Sequence, residues 1–392
     1  MAKSAAVSGV NPDLLLWARE RSGKTVAEVA ATLKKETNVI EGWEHGVGAP
    51  TYVQLETLAY KVYRRPLALF FFPQPPAEPD LEHSFRTLPN SEIQDLQADT
   101  RLRIREAHAL QVSLAELTGG ANPAQKRIWK DLGDSAPSGA AAMAKNARDY
   151  LNIGVYVQKR DWKDTDEAMK AWRAAVESAG IFVFKDSFKQ RSVSGFALYD
   201  DQFPLIVINN STAITRQIFT VFHELGHLLV HTNGVTKNND HYIQLLTGES
   251  RRIEVFCNEF AAEFLVPLSD LRADIKVRGT GDIAISEIAK LYKVSREMIL
   301  RRCMDLGLVT RQYYQRKAAQ WLAEYEASLA SRRSGGNYYL THASYLSERY
   351  MNLAFGRYYR GDISVEQLAG YLNVSPKSVP GIEQVVLERL PQ

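Results

Sequence analysis

The feature that most constrains this chain is the run Phe219-Thr220-Val221-Phe222-His223-Glu224-Leu225-Gly226-His227-Leu228-Leu229-Val230-His231. It sets His223, Glu224 and His227, in H-E-x-x-H order, inside an apolar stretch of helical period, which folds only as a helix packed on most sides. Histidines four apart on a helix are separated by about 6 Å along the axis and about 40° around it, so both imidazoles can reach one Zn²⁺. Glu224, beside the first histidine, is placed to act on water at the metal rather than on the metal. The pentapeptide also reads as two satisfied core histidines on an amphipathic helix, and a third ligand separates the two readings.

The pattern H-E-x-x-H-x-x-G-x-x-H does not supply it. Its glycine position is Val230 and its third-histidine position Asn233. His231 lies a full turn beyond His227, too far along the axis to share the metal, and reads as an end-of-helix or pocket residue. Downstream, Ile253 to Val266 is a second amphipathic helical run, stopped by Pro267. In it Glu254 is followed at i+4 by Asn258; the glutamate would close the metal shell and the asparagine would orient a ligand imidazole through its free ring nitrogen. Glu263 and Glu259 are the next candidates for the third ligand. The layout His-His-Glu plus water is gluzincin-like.

His223-Glu-Leu-Gly-His-Leu-Leu229 followed by Ile253-Glu-x-x-x-Asn-x-Phe-Ala-Ala-Glu-Phe-Leu-Val-Pro267, with Glu254 thirty-one residues after His223, resembles the ImmA/IrrE metallopeptidases over roughly residues 180–270. The resemblance implies zinc on His223, His227 and Glu254, with Glu224 as general acid/base. It also implies limited proteolysis of a regulatory protein, typically a helix-turn-helix repressor, in a stress or DNA-damage response. Cys257 stands where that family more often has alanine.

Length and composition bound the rest. The 392 residues, 45% hydrophobic and 24% charged, are ordinary for a globular chain of two to four domains. Two cysteines, Cys257 and Cys303, cannot build a disulfide framework, so reduced buried thiols and a cytoplasmic setting are expected. No apolar run is long enough for a membrane span, and the N-terminus lacks a signal-peptide core.

The expected fold class is mainly α with a small β-sheet (α+β). Its divisions are a helical domain at 1–72, a helical linker or scaffold at 73–179 and a peptidase core at 180–270. A basic helical region at 271–330 and a C-terminal helical region at 331–392 follow. Residues 1–10 read as a disordered lead, and Pro12–Arg21, Thr25–Lys34, Thr37–Glu44 and Tyr52–Tyr63 as helices. The second and third have helix-turn-helix spacing and, with Ile40-Glu-x-Trp-Glu-x-Gly46, resemble the Xre-type repressor domain. Between Lys34 and Gly46, two lysines face three glutamates, a balance that repels phosphate. DNA binding and protein docking or homodimerisation therefore both stand for this domain.

Leu67–Phe72 reads as a strand or core plug and Phe85-Arg86-Thr87 as extended. Residues 92–117 read as one long helix with Arg101, Arg103 and Arg105 on a solvated face, a nucleic-acid or interdomain surface being the alternative. Strands are expected at Ile181–Phe184, Ser192–Leu198 and Pro204–Asn209. In small zincins the second of these offers a free edge to an extended peptide; Gly195 in it fits close substrate approach or a bulge. From Lys276 to Lys317 ten basic residues stand against four acidic ones, a net of +6, with tyrosines interleaved. Lys290, Lys293, Arg296, Arg301 and Arg302 are the candidate contacts to single- or double-stranded nucleic acid there, a solvated face being the alternative. Ser331–Asn337 reads as a loop, and Ile363–Pro376 as a third helical pair.

The expected activity is a zinc metallopeptidase with a protein substrate and no membrane partner. His231, His241 and Tyr242 are candidates to stabilise an oxyanion. A DNA-binding regulator or antitoxin using the same fold as a sensor or scaffold is the alternative, against which intact Glu224 counts. An amidase on the same ligands is a third reading.

Overall fold

The computed structural model describes residues 5–78, 81–85, 88–133, 139–237, 241–330 and 337–389. Arg86, Thr87 and residues 331–336 of the expected loop lie outside these. The chain forms two compact units, one of Met1–Ser84 with Asn90–Glu106 and one of Phe85–Pro89 with Ala107–Gln392. The fold is α+β, mostly helical with one four-stranded mixed sheet.

In the first unit, helices Pro12–Arg21, Val26–Leu33, Thr37–Glu44 and Tyr52–Thr57 enclose Leu14, Val29, Ile40, Leu55 and Phe70. Their starts follow local chemistry. The Asn11 side chain accepts from Asp13 N ahead of Pro12, and Thr25 and Glu28 form a reciprocal capping box. Within the expected lead, Ala6 bridges Thr51, and Val7 N donates to Pro50 O at 2.9 Å, so these two residues are ordered. Leu67–Phe71 is a 3₁₀ turn entered from Pro66, with Leu69 and Phe70 buried, so the plug is present and the strand is not. A uniformly apolar run has no alternation to fix a strand face.

The single helix expected over 92–117 is interrupted, running as Asn90–Gln94 and Ala98–Thr118. Arg101 spans the break, donating to Leu96 O (2.8 Å) and Ile93 O (3.1 Å). Arg105 donates to Arg64 O, and Arg103 pairs with Glu106, so these arginines are structural donors rather than a solvated face.

The second unit carries β1 (Phe182–Asp186), β2 (Val193–Leu198), β3 (Leu205–Asn209) and β4 (Gly234–Lys237) in the order β1-β3-β2-β4. β1 runs parallel to β3, and β2 antiparallel to both its neighbours. β2 is therefore internal and offers no free edge; the short β4 occupies the position expected of it. Gly195 sits at a register irregularity in β2, and a Cβ there would lie 2.7 Å from Thr220 Cγ2 and from Val207 O. It serves the bulge and lets the sheet close onto the helix that carries the H-E-x-x-H residues.

That motif helix, Ile214–Leu229, lies between the sheet and a glutamate helix, Gly248–Leu265. Aromatic packing fixes the pair: Phe222 and Phe264 stack at 4.0 Å, and Trp172 meets Phe222 edge-on at 5.0 Å. Gly226 sets the approach, since a Cβ there would be 3.1 Å from Cys257 Sγ. Buried Arg148 holds the end of the glutamate helix by donating to Phe264 O (2.5 Å). Cys257 and Cys303 are buried free thiols. Among the described residues, no helix is long and apolar enough to cross a membrane.

Candidate metal centre

The two helices bring His223, His227 and Glu254 into one cluster, all essentially inaccessible to solvent. Asn258, one turn after Glu254, faces His223 Nδ1 with its Oδ1 at 3.0 Å. Thr232 donates its hydroxyl to His227 O, leaving Oγ1 to accept from His227 Nδ1 at 3.3 Å. With both Nδ1–H groups so engaged, the two Nε2 lone pairs converge. They lie 3.2 Å apart, and Glu254 places Oε2 3.4 Å from His223 Nε2 and Oε1 3.3 Å from His227 Nε2.

Three acceptors facing one another in a dry interior repel unless a cation joins them. Ligand atoms held tetrahedrally about 2.0–2.1 Å from zinc are themselves about 3.3–3.4 Å apart, so the triangle has the dimensions of a zinc face. Glu254 Oε1 is buried without a hydrogen-bond partner, as a ligand atom would be. Burial alone would raise the Glu254 pKa; without a metal, protonated His227 and His223 oppose it and hold it below the usual carboxylate range, a positive charge that a bound cation would replace. The residues fit a zinc ion.

Glu224 lies beside this triangle with its Oε1 held by Thr236, through the backbone N–H (3.0 Å) and the hydroxyl (2.5 Å). Its Oε2 is buried and has no hydrogen-bond partner. Burial pushes the carboxyl up to about 7, against the opposing pull of His227 and the Thr236 hydrogen bonds. Gly234, two residues before Thr236 on the same face of β4, fits because it has no side chain. A Cβ there would be 2.2 Å from His227 Cδ2 and 2.7 Å from Glu224 Oε2. Oε2 is thus beside the His227 ring.

Residues 176–304 match the model of the Peptidase_M78 family, described as an IrrE N-terminal-like domain. The match supports an ImmA/IrrE peptidase domain in this stretch, and its bounds enclose the sheet, both helices and the His-His-Glu cluster. Among curated proteins there is no significant match.

The other candidates in the IrrE-like domain separate cleanly. Tyr242 reaches the cluster, its hydroxyl donating to Glu254 Oε2 at 2.7 Å. His231 does not: it leaves the motif helix with φ of 55°, and its Nε2 lies 3.0 Å from Trp129 O. The side chain of His241 lies outside the described residues. Glu263 binds Arg302 and Leu268 N, and Glu259 is exposed, so neither competes with Glu254.

The basic stretch needs correction. Lys293 and Arg302 are buried; Lys293 Nζ donates to Leu291 O, and Arg302 pairs with Glu263 and donates to Val266 O. No nucleic acid can reach them. Arg296 is tied to Glu324 (2.8 Å) and stacks over Trp321. Arg278 pairs with Glu287 and Lys317 with Asp282, while Lys290 and Arg301 remain on the surface.

Thr232, Gly234 and Thr236 are the site residues that sequence reasoning missed. The available signal was weak: Thr-Asn-Gly after a helix reads as a turn, and four residues are too short for alternation to show a strand.

Proposed function

We propose that this chain is a zinc-dependent endopeptidase that makes limited cuts in a regulatory protein, a helix-turn-helix repressor being the class the family resemblance suggests. The observation that carries the activity is the His223–His227–Glu254 triangle with Glu224 beside it, one carboxylate oxygen anchored and the other unpartnered. Zinc held there would supply Lewis acidity toward a peptide carbonyl and toward water. Glu224 accepts the proton that water gives up and returns it to the leaving amine. Asn258 and Thr232 keep the ligand imidazoles in the tautomer that leaves Nε2 free, and Tyr242 steadies Glu254.

The test is cleavage of fluorescently labelled casein by the full-length chain. Treatment with 1,10-phenanthroline should abolish cleavage, and about one equivalent of zinc per chain should restore it. Cleavage indifferent to the chelator would contradict the metal mechanism, and a zinc-loaded chain that cuts nothing would favour the scaffold reading.

A DNA-binding role is proposed for the N-terminal helix pair. Its turn places Lys34 in the left-handed region and closes Lys35 N on Ala30 O at 2.9 Å; the same turn recurs at Lys293 and at Asn373. The second helix is covered in the later two pairs. Glu297 is bonded to Tyr314 and Arg296 to Glu324, and Tyr339 packs against Gly381. In the N-terminal pair Thr37, Asn38 and Glu41 are exposed, while Glu44 is buried and neutralised by Arg19 at 2.7 Å. With Glu44 neutralised, two lysines stand against two glutamates, and the exposed second helix favours DNA binding there. In an anisotropy titration on duplex oligonucleotides, Lys34→Ala/Lys35→Ala should lower the salt slope by roughly two. Arg301→Ala should lower it by less than one. The opposite ranking would return the role to the basic stretch.

A further inference from the structure

The geometry points to Thr236 as a positioning residue that decides which oxygen of Glu224 carries the transferred proton. The inference rests on the peptidase reading above. Glu224 Oε1 accepts two hydrogen bonds from this one residue, from its amide at 3.0 Å and its hydroxyl at 2.5 Å. Protonating Oε1 would cost at least one of these donors inside a dry site, where an unmade hydrogen bond is expensive. Oε2 has no donor to lose and lies beside the His227 ring. The proton therefore belongs on Oε2.

β4 is built to hold that arrangement. Thr236 pairs with Gly195 of β2, next to the register irregularity, which fixes which residue of β4 meets Glu224. At one end of the strand Gly234 packs against His227, and at the other Arg216 of the motif helix donates to Lys237 O. A slip of one residue would present Val235 or Lys237 to Glu224 and remove the hydroxyl.

The proton balance is closed. As the water oxygen bonds to the scissile carbonyl carbon, an O–H bond of that water breaks and its proton passes to Oε2. As the C–N bond breaks, the same proton leaves Oε2 for the amine nitrogen and Glu224 returns to carboxylate. One water is consumed per peptide bond. Thr236 keeps its own proton throughout and holds Oε1 as the acceptor.

Thr236→Val deletes the hydroxyl while keeping the shape and the backbone N–H; Thr236→Ser restores a hydroxyl. Both are compared with wild type as full-length, zinc-loaded chains. Casein cleavage gives kcat and KM, elemental analysis gives zinc content, and calorimetry gives the affinity of acetohydroxamate, whose bound form needs a correctly oriented Glu224. Thr236→Val should keep its zinc and KM and lose kcat by about 10- to 100-fold, the effect of one hydrogen bond to a charged group. Acetohydroxamate should bind at least about tenfold more weakly to it, the lower end of that same range. Thr236→Ser should recover most of both losses.

A Thr236→Val chain with wild-type kcat and acetohydroxamate affinity would overturn the inference. So would a Thr236→Ser chain as impaired as Thr236→Val, since the loss would then come from packing. Glu224→Gln separates this failure from that of the peptidase reading. If Glu224→Gln cleaves normally, or zinc-loaded wild type neither cleaves casein nor binds acetohydroxamate, the peptidase reading falls and the inference with it. If Glu224→Gln is inactive while Thr236→Val is fully active, only the role of Thr236 falls.

Discussion

Glu224→Gln is expected to hold as much zinc as wild type and to cleave more slowly by about 10²- to 10⁴-fold. The substitution is nearly isosteric and leaves His223, His227 and Glu254 untouched, so the triangle of 3.2–3.4 Å separations should persist. Its amide oxygen can still accept from Thr236. What it loses is a basic oxygen beside the His227 ring, and with it the carrier between water and leaving amine. The pH profile follows from the same group. Burial raises the Glu224 carboxyl to about 7 in the metal-free site. A bound cation favours the carboxylate, so the acid limb of kcat/KM should lie below about 7. On that limb activity falls as pH falls, because protonated Glu224 can no longer accept. Metal content and initial rates on labelled casein check the prediction; a variant within tenfold of wild type would remove Glu224 from the chemistry.

The metal cluster was legible in the sequence because each part of it is local. His223 and His227 share a helix, so their spacing translates directly into geometry, and Glu254 and Asn258 repeat that spacing on a second helix. The placement of β4 was not legible, because four residues carry no period and become a strand only by pairing with β2, about forty positions earlier. Without β4, β2 looked like an edge, and Gly195 fitted a place for substrate as well as the bulge it forms. Charge misled for a related reason. A count over 276–317 cannot show that Arg302 folds back on Glu263, thirty-nine residues away, or that Arg296 is held by Glu324. Arg101 shows the same limit at short range: it looked like part of a solvated face and instead caps the preceding helix.

Zinc content of the wild-type chain and of Glu254→Ala, measured by elemental analysis after dialysis against a weak chelator, tests the central claim most directly. Glu254 is buried, its Oε1 has no hydrogen-bond partner, and its oxygens complete the triangle with the two imidazoles. Removing it leaves two histidines, which cannot retain zinc against competition. Affinity should fall by well over the about 10- to 100-fold that the loss of an outer-shell partner costs. The expected result is about one zinc per wild-type chain and less than about a tenth of that in Glu254→Ala, with the variant still folded by circular dichroism. Undiminished zinc in a folded Glu254→Ala chain would show that these three residues are not the ligand set.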